Sequence, residues 1–360
     1  MSNKTIHKLF PSLLNSRIWG IAFSPFSLLY GIAVSLKNLF YDKKIIIPAR
    51  VSAKIISVGN ISIGGTGKTP LVITLASIIK NKGYRTAVIS RGYGGKAKGT
   101  LCVSDGKNIL TSPEESGDEP LLHAKNLPDI PVIADPDRIR AARYAEKHFQ
   151  SEVIVLDDAF QHRKIDRDID IITINAANPW GNKMLIPSGP LREPLKNLNR
   201  GDICVITHTD KSNNIENIKS TIKKYSGDTI FLTSHRPLSF YTLQHNKIPL
   251  HRMKNKPVLA FSGIANPDLF RKTLLDLNLD IRTFITFPDH HYYTAADQEK
   301  IWQKALLHKV KAVITTEKDI MRIDTWNKKN IPLYYLKIEL IFISELNTFK
   351  QYIENQLNKS

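Results

Sequence analysis

Short apolar runs alternate with longer mixed stretches along most of this chain. Lys54 to Asn60, Thr86 to Ser90, Pro131 to Ala134, Val153 to Leu156, Ile169 to Asn175 and Ile203 to Thr207 are nearly continuous in hydrophobic residues. Runs of that length predict strands buried on both faces. Leu71 to Lys80 and Arg138 to Phe149 instead carry helical spacing, and a further helix is predicted from Leu121. Strands alternating with helices predict an α/β chain.

Lys211 to Asp228 reads as a polar stretch, and a strand resumes at Thr229. His235 to Lys256 mixes Pro, His and Lys and reads as a connection into a second unit, whose strands are Val258 to Ser262 and Ala312 to Thr315. The expected organisation is therefore an N-terminal segment (1–45), a nucleotide-binding core (46–235) and a smaller α/β domain (236–360) that closes a cleft.

The core is a nucleotide-binding one because of ISIGGTGKTP, Ile61 to Pro70, which sits between the first strand and the first helix. Glycines let backbone N–H groups close around an anion, and the helix N-terminus adds positive dipole. Lys68 can reach terminal phosphates and the Thr69 hydroxyl can bind Mg²⁺. Ser62, Ile63, Gly64, Gly65, Thr66, Gly67, Lys68 and Thr69 are thus the predicted nucleotide contacts, with Ser62 where the common pattern has glycine. A glycine-rich turn that binds nothing would not need the strand, the GKT triplet and the helix together.

Other chemistry is more scattered. Asp157 and Asp158 end the strand Val153 to Leu156, where an acidic residue can hold Mg²⁺ directly or through water; an isolated Asp pair elsewhere would be a solvated turn. Arg192 lies in the long loop GNKMLIPSGPLREP and can meet a phosphate or simply solvent. Adjacent His290 and His291 cannot share a strand face, which disfavours a zinc site and leaves a carboxylate-oriented proton acceptor as the useful role. Thr207 to Asp210, THTD, is a degraded version of a guanine-reading element and supports a rival reading as a GTPase switch.

Charge and the N-terminus bear on partners. The formal charge of +18 calls for an anionic partner: a phosphorylated substrate, an anionic membrane or, least favoured because the basic residues are spread out, nucleic acid. Ile18 to Leu36 carries no charge and is flanked by Arg17 and by Lys37, Lys43 and Lys44. It is long enough to span a bilayer, but Pro25, its serines and its aromatic residues suit an interface, and a buried core helix is the plain alternative. Two cysteines cannot build a disulfide framework, which favours a reducing cytoplasm.

Taken together, VGNISIGGTGKTP, AVISRGYGGK, SGDEPLL, LDDAFQHRKIDRDIDI, MLIPSGPLREP, FSGIANP, FPDHHYYT and TTEKD resemble the tetraacyldisaccharide 4'-kinase (LpxK) family over most of the chain. That family's phosphate loop is similarly shifted at the position of Ser62. The resemblance implies a P-loop NTPase-like core with a membrane-associating N-terminal helix, at the cytoplasmic face of the bacterial inner membrane. It implies transfer of the γ-phosphoryl of ATP to the 4'-hydroxyl of an acylated glucosamine disaccharide 1-phosphate, giving lipid IVA. Asp118 and His290, with Lys68, are the implied catalytic residues, and Asp289 is placed to orient His290. Thr69, Glu119, Asp157, Asp158 and Gln161 are the implied Mg²⁺ set, and Arg91 and Arg192 the implied substrate contacts. No nucleic acid and no obligate protein partner are implied.

Overall fold

In the computed structural model, which describes residues 21–323, 325–326, 330–343 and 345–359, one 13-stranded sheet runs through the molecule. Its strands are β1 (Lys54–Gly59), β2 (Thr86–Ser90), β3 (Leu101–Ser104), β4 (Val132–Ala134), β5 (Val153–Asp157), β6 (Ile169–Asn175), β7 (Ile203–Thr207), β8 (Ile230–Thr242), β9 (Lys247–Ile248), β10 (Pro257–Ser262), β11 (Asp280–Thr286), β12 (Ala312–Thr316) and β13 (Leu333–Phe342). Their spatial order is β11-β10-β12-β13-β8-β7-β6-β1-β5-β2-β4-β3, with β9 paired to β8 off that path. Parallel pairing holds from β7 to β4 and again from β11 to β13.

Helices supply the crossovers that parallel strands require. They are α1 (Ser24–Asp42), α2 (Lys68–Asn81), α3 (Pro113–Ser116), α4 (Asp118–Asn126), α5 (Arg138–Phe149), α6 (Ile215–Ser226), α7 (Pro267–Asp276), α8 (Ala295–Leu307), α9 (Glu317–Ile320) and α10 (Leu346–Leu357). With helices over its faces, the strands β2, β5 and β7 are buried along their whole length. This is why those segments read as unbroken apolar runs. The α/β expectation holds.

Three local readings are corrected. Lys211 to Asp228 is not merely polar: it contains α6, which buries Ile218 and Ile222 and turns its Lys and Asn residues outward. Nor is His235 the start of a connection, because β8 runs on to Thr242. Ile230 to Leu232 pairs parallel with β7, and Thr233 to Thr242 pairs antiparallel with β13. The position 235/236 therefore falls inside a strand shared by both halves of the sheet. Finally, the helix predicted from Leu121 begins at Asp118, with Gly117 preceding it at φ +84°, a conformation open to glycine.

That earlier start matters for the site. Leu121 and Leu122 of α4 pack with Leu259, Phe261, Tyr293, Ile301 and Ile320 in one apolar cluster. The first turn of α4 is thereby fixed against β10, α8 and α9.

Helix α1 lies on the loop that precedes the short 3-10 helix Leu195–Arg200. Ser27 Oγ donates to Leu185 O (2.9 Å), Tyr30 Oη to Arg192 O (2.9 Å) and Asn38 Nδ2 to Glu193 Oε2 (3.0 Å). Its other side leaves Phe26, Leu28, Leu29, Ile32 and Leu36 exposed. Among the described residues no helix is long and apolar enough to cross a membrane, and Ile18 to Gly20 lie outside the described residues.

Candidate active site

The phosphate loop leaves β1 and enters α2 as predicted. Gly64 and Gly67 adopt φ of +114° and +77°, and Gly67 is the residue that caps α2. Ser62 needs no such freedom, since it pairs with Leu191 in an antiparallel bridge. The loop is clamped on several sides. Ile63 N donates to Pro190 O (2.7 Å), Asn175 Nδ2 to Gly65 O (2.9 Å) and Thr207 Oγ1 to Thr66 O (3.0 Å). Thr207 of the THTD element thus braces the loop through a buried hydroxyl.

Gly59 lets β5 come close, because a Cβ there would stand 2.5 Å from Phe160 Cβ. The end of β5 therefore lies against the loop, and Asp157 is in register with Val58. Asp158 follows at φ +49°, which aims its carboxylate at Lys68 Nζ (3.4 Å) and Arg192 Nη1 (3.1 Å). Burial opposes ionisation of Asp158, but the Lys68 and Arg192 charges outweigh it and hold the pKa down at about 2. Asp157 is buried and receives a hydrogen bond from His123 Nε2 on Oδ2 (2.9 Å). Its Oδ1 is buried with no partner among the described residues. Gln161 donates to Asn60 O (2.9 Å), and Asn60 Oδ1 lies 3.4 Å from Lys68 Nζ.

A second cluster forms where the first turn of α4 meets the later half of the sheet. His290 Nδ1 donates to Asp118 Oδ1 (3.2 Å), joining residues 172 apart in sequence. Asp118 Oδ2 accepts from Arg322, and Lys318 Nζ stands 3.8 Å from the same oxygen. Lys318 also pairs with Glu119 at 3.1 Å. Arg322 is itself held by Gly263 O (3.2 Å) and Asp319 Oδ1 (3.4 Å). Burial would raise the Asp118 pKa. The His290 hydrogen bond and the Lys318 and Arg322 charges reverse that and keep the carboxyl well below the usual carboxylate range. Asp289 does not reach the ring in hydrogen-bond geometry, its Oδ2 lying 3.9 Å from His290 Nε2; it accepts instead from the His290 backbone N–H (3.0 Å).

A phosphate loop and a buried Asp–His pair occur in many proteins, so comparison with known chains decides the family. Residues 19–358 match the family model LpxK, described as tetraacyldisaccharide-1-P 4'-kinase. The chain belongs to the LpxK family. It is 41% identical over 326 residues to the tetraacyldisaccharide 4'-kinase of Syntrophus aciditrophicus, covering 88% of this chain and 87% of that one. The corresponding protein of Aquifex aeolicus is 34% identical over 316 residues, covering 88% and 93%. A crystal structure of LpxK from Aquifex aeolicus in complex with ATP superposes with a TM-score of 0.76 at 32% identity, covering 94% of this chain and 99% of that one.

This kinase therefore carries out tetraacyldisaccharide 4'-kinase chemistry in lipid A biosynthesis. Its site gathers most, but not all, of the residues predicted from sequence. Lys68, Asp157, Asp158, Gln161 and Arg192 surround the phosphate loop, and Asp118, Glu119 and His290 form the second cluster. Glu119 is turned to Lys318 and is not grouped with the β5 aspartates. Among the described residues no three His, Cys, Asp or Glu are arranged to hold an ion by themselves. Arg91 is exposed in the loop after β2, where it lines a small cavity with Tyr93, Glu115 and Ser116.

Sequence reasoning missed Asn60, His123, Lys318 and Arg322. Lys318 lies inside TTEKD, so the motif pointed at the segment without assigning the residue. His123 and Arg322 had no signal, because each acts across the fold on a carboxylate far away in sequence.

Proposed function

We propose that this kinase holds ATP on Ser62 to Thr69, with Lys68 on the terminal phosphates, and transfers the γ-phosphoryl to the sugar 4'-hydroxyl at the Asp118–His290 pair, giving lipid IVA. The pair itself carries this reading: a buried carboxylate, on the helix whose His123 bonds Asp157, joined to an imidazole 172 residues away. Sugar hydroxyls are poor nucleophiles, and an acceptor for their proton lowers the barrier. Oδ1 of Asp118 holds Nδ1 of His290 and Oδ2 is taken by Arg322, so Asp118 orients the ring, and Nε2 of His290, which faces Lys318 Nζ at 3.5 Å, is the accepting atom once that contact is given up to the sugar hydroxyl. The arrangement follows the logic of a carboxylate-oriented imidazole base.

Mg²⁺ fits the residues present. Oδ1 of Asp157 is a buried carboxylate oxygen without a partner among the described residues, beside the loop and next to Asp158. Asp157, Asp158 and Thr69 would hold the ion with the nucleotide, while Gln161 is bonded to Asn60 O and Glu119 to Lys318. When bound, Mg²⁺ neutralises charge on the phosphates. Arg192, and Arg91 in the loop after β2, supply cationic contacts for phosphate groups.

The exposed apolar side of α1 supports association with the cytoplasmic face of the inner membrane. Phe26 is 60%, Leu28 66% and Leu29 65% exposed, a continuous face that water disfavours and an interface accepts. The four acyl chains can then stay in the bilayer while the sugar reaches the cleft.

One experiment tests both parts. Purified enzyme is given γ-labelled ATP and the acylated disaccharide 1-phosphate in mixed micelles, and its binding to anionic vesicles is followed by flotation. Asp118→Asn and His290→Gln are expected to lower kcat by about 10²- to 10⁴-fold with nucleotide affinity retained. Unchanged kcat removes the pair from the reaction. Flotation undiminished by Leu28→Ser with Leu29→Ser removes α1 from membrane binding.

A further inference from the structure

His123 sits in the middle of α4 and is wholly buried, at 0% exposure. Its Nε2 donates to Oδ2 of Asp157 at 2.9 Å, while its Nδ1 has no partner among the described residues. An imidazole placed in a packed interior with one nitrogen unsatisfied is destabilising compared with an apolar side chain of similar shape. Packing alone therefore does not account for a histidine here. What the ring does is seize one oxygen of Asp157, and that fixes the side-chain rotamer and leaves Oδ1 turned away from the ring.

The two elements joined in this way belong to different halves of the site. β5 ends beside the phosphate loop, whereas α4 carries Asp118 in its first turn and Leu121 and Leu122 in the apolar cluster with β10, α8 and α9. The packing of α4 is thus transmitted to Asp157 through one short hydrogen bond.

We propose that His123 is a positioning residue, which holds the Asp157 carboxylate in the orientation that serves Mg²⁺–nucleotide and ties that carboxylate to the helix bearing Asp118. The proposal rests on the reading of Asp157 given above. Partners that orient metal-binding side chains change metal affinity by about 10- to 100-fold when removed. The same range applies to His123, which acts from a wholly buried position.

The test uses the full-length enzyme and a non-hydrolysable ATP analogue, titrated by calorimetry at a series of Mg²⁺ concentrations. His123→Leu is expected to raise the Mg²⁺ concentration for half-maximal nucleotide binding by about 10-fold or more, with binding in the absence of Mg²⁺ unchanged. His123→Gln, whose amide nitrogen reaches the position of Nε2, is expected to stay within about threefold of the parent; His123→Asn is too short and is expected to follow His123→Leu. A purely structural histidine would lower the melting temperature of the nucleotide-free protein and leave the Mg²⁺ dependence in place. Should the Leu variant fail to fold, the Gln and Asn variants decide, and equal Mg²⁺ dependence in those two overturns the proposal. Asp157→Asn separates the two levels of inference. If it shifts the Mg²⁺ dependence and the His123 variants do not, His123 has no positioning role; if Asp157→Asn shifts nothing, the reading of Asp157 falls and the proposal falls with it.

Discussion

The phosphate loop and the Asp118 cluster are built in opposite ways. Loop residues are contiguous, and their geometry follows from local rules: glycine where φ is positive, a helix N-terminus, and a lysine one residue inside it. The Asp118 cluster draws two carboxylates from α4, an imidazole from the segment after β11, and cations from α9 and just beyond it. Nothing local makes it. A contiguous site survives as long as its strand and helix do, whereas an assembled one depends on every contact that docks the two halves of the sheet.

The largest test of that difference is Arg322→Met. Arg322 is buried and bonds Asp118, Asp319 and Gly263 O together. Removing one member of a buried ionic cluster leaves the others uncompensated, at a cost of about 3–5 kcal/mol. Chemical denaturation is expected to show that loss, with kcat reduced and nucleotide affinity nearly intact where the protein remains folded. Loss of nucleotide binding in a folded variant would mean that the two regions are not separable.

The reciprocal change, Lys68→Met, is expected to lower kcat/KM by about 10²- to 10³-fold, or roughly 3–4 kcal/mol of transition-state stabilisation. Among the described residues Lys68 pairs with Asp158 and Asn60, both beside the loop, so the His290–Asp118 hydrogen bond is expected to persist. An NMR titration of His290 reports on it, and a changed His290 resonance in Lys68→Met would show coupling that the contacts do not predict.

These contrasts explain what could be read from the chain and what could not. Ile61 to Pro70 announced the loop because turn chemistry and phosphate chemistry both act over a few residues. Strands such as Val153 to Asp157 were legible because burial on both faces imposes an unbroken apolar run. Chemistry alone suggested His290 as a carboxylate-oriented proton acceptor, but Asp118 and its pairing with His290 were legible only through likeness to a known family, since no spacing rule connects residues that far apart. Arg322 and His123 escaped altogether. The length of β8 was missed for a related reason: His235, Arg236 and Pro237 look like a loop, yet the antiparallel register with β13 holds them in a strand.

Acid stability separates the regions by pH. Burial pushes the pKa of His162 down to about 4. It also lowers His208 and His235, whose Nδ1 atoms lie 3.0 Å apart and cannot both carry a proton there. All three stand near the loop side, His235 Cε1 lying 2.9 Å from where a Cβ on Gly67 would be. A folded pKa below the unfolded one means that the unfolded chain binds protons first. The stability these groups contribute is present above pH of about 6.5 and is lost as the pH falls towards 4. Asp118 and Asp158 are lowered from about 3.8, so their contribution is lost only below pH of about 4. Between pH 7 and 5 each such imidazole accounts for about 2 kcal/mol, and the expected fall is about 4 kcal/mol in sum after a discount for the partial exposure of His162. Denaturant midpoints at the two pH values check it, and a midpoint flat down to pH 4 would contradict the buried, uncharged state of these imidazoles.

The smallest expected effect concerns Ser62, where the common phosphate-loop pattern has glycine. Ser62 lies 7% exposed in an antiparallel bridge with Leu191, an extended conformation that any residue adopts. Ser62→Gly therefore relieves no strain. It adds backbone freedom to the unfolded chain and is expected to cost about 0.5–1 kcal/mol of stability, with ATP affinity within about twofold of the parent. Because Ile63 N and Arg192 N are both bonded across this bridge, to Pro190 O and Ile61 O, the backbone around the serine is already fixed by the clamp, whether or not nucleotide is bound. A gain of tenfold or more in ATP affinity for Ser62→Gly would instead place it in the cradle, and would make the loop's first position a compromise between holding nucleotide and holding Arg192.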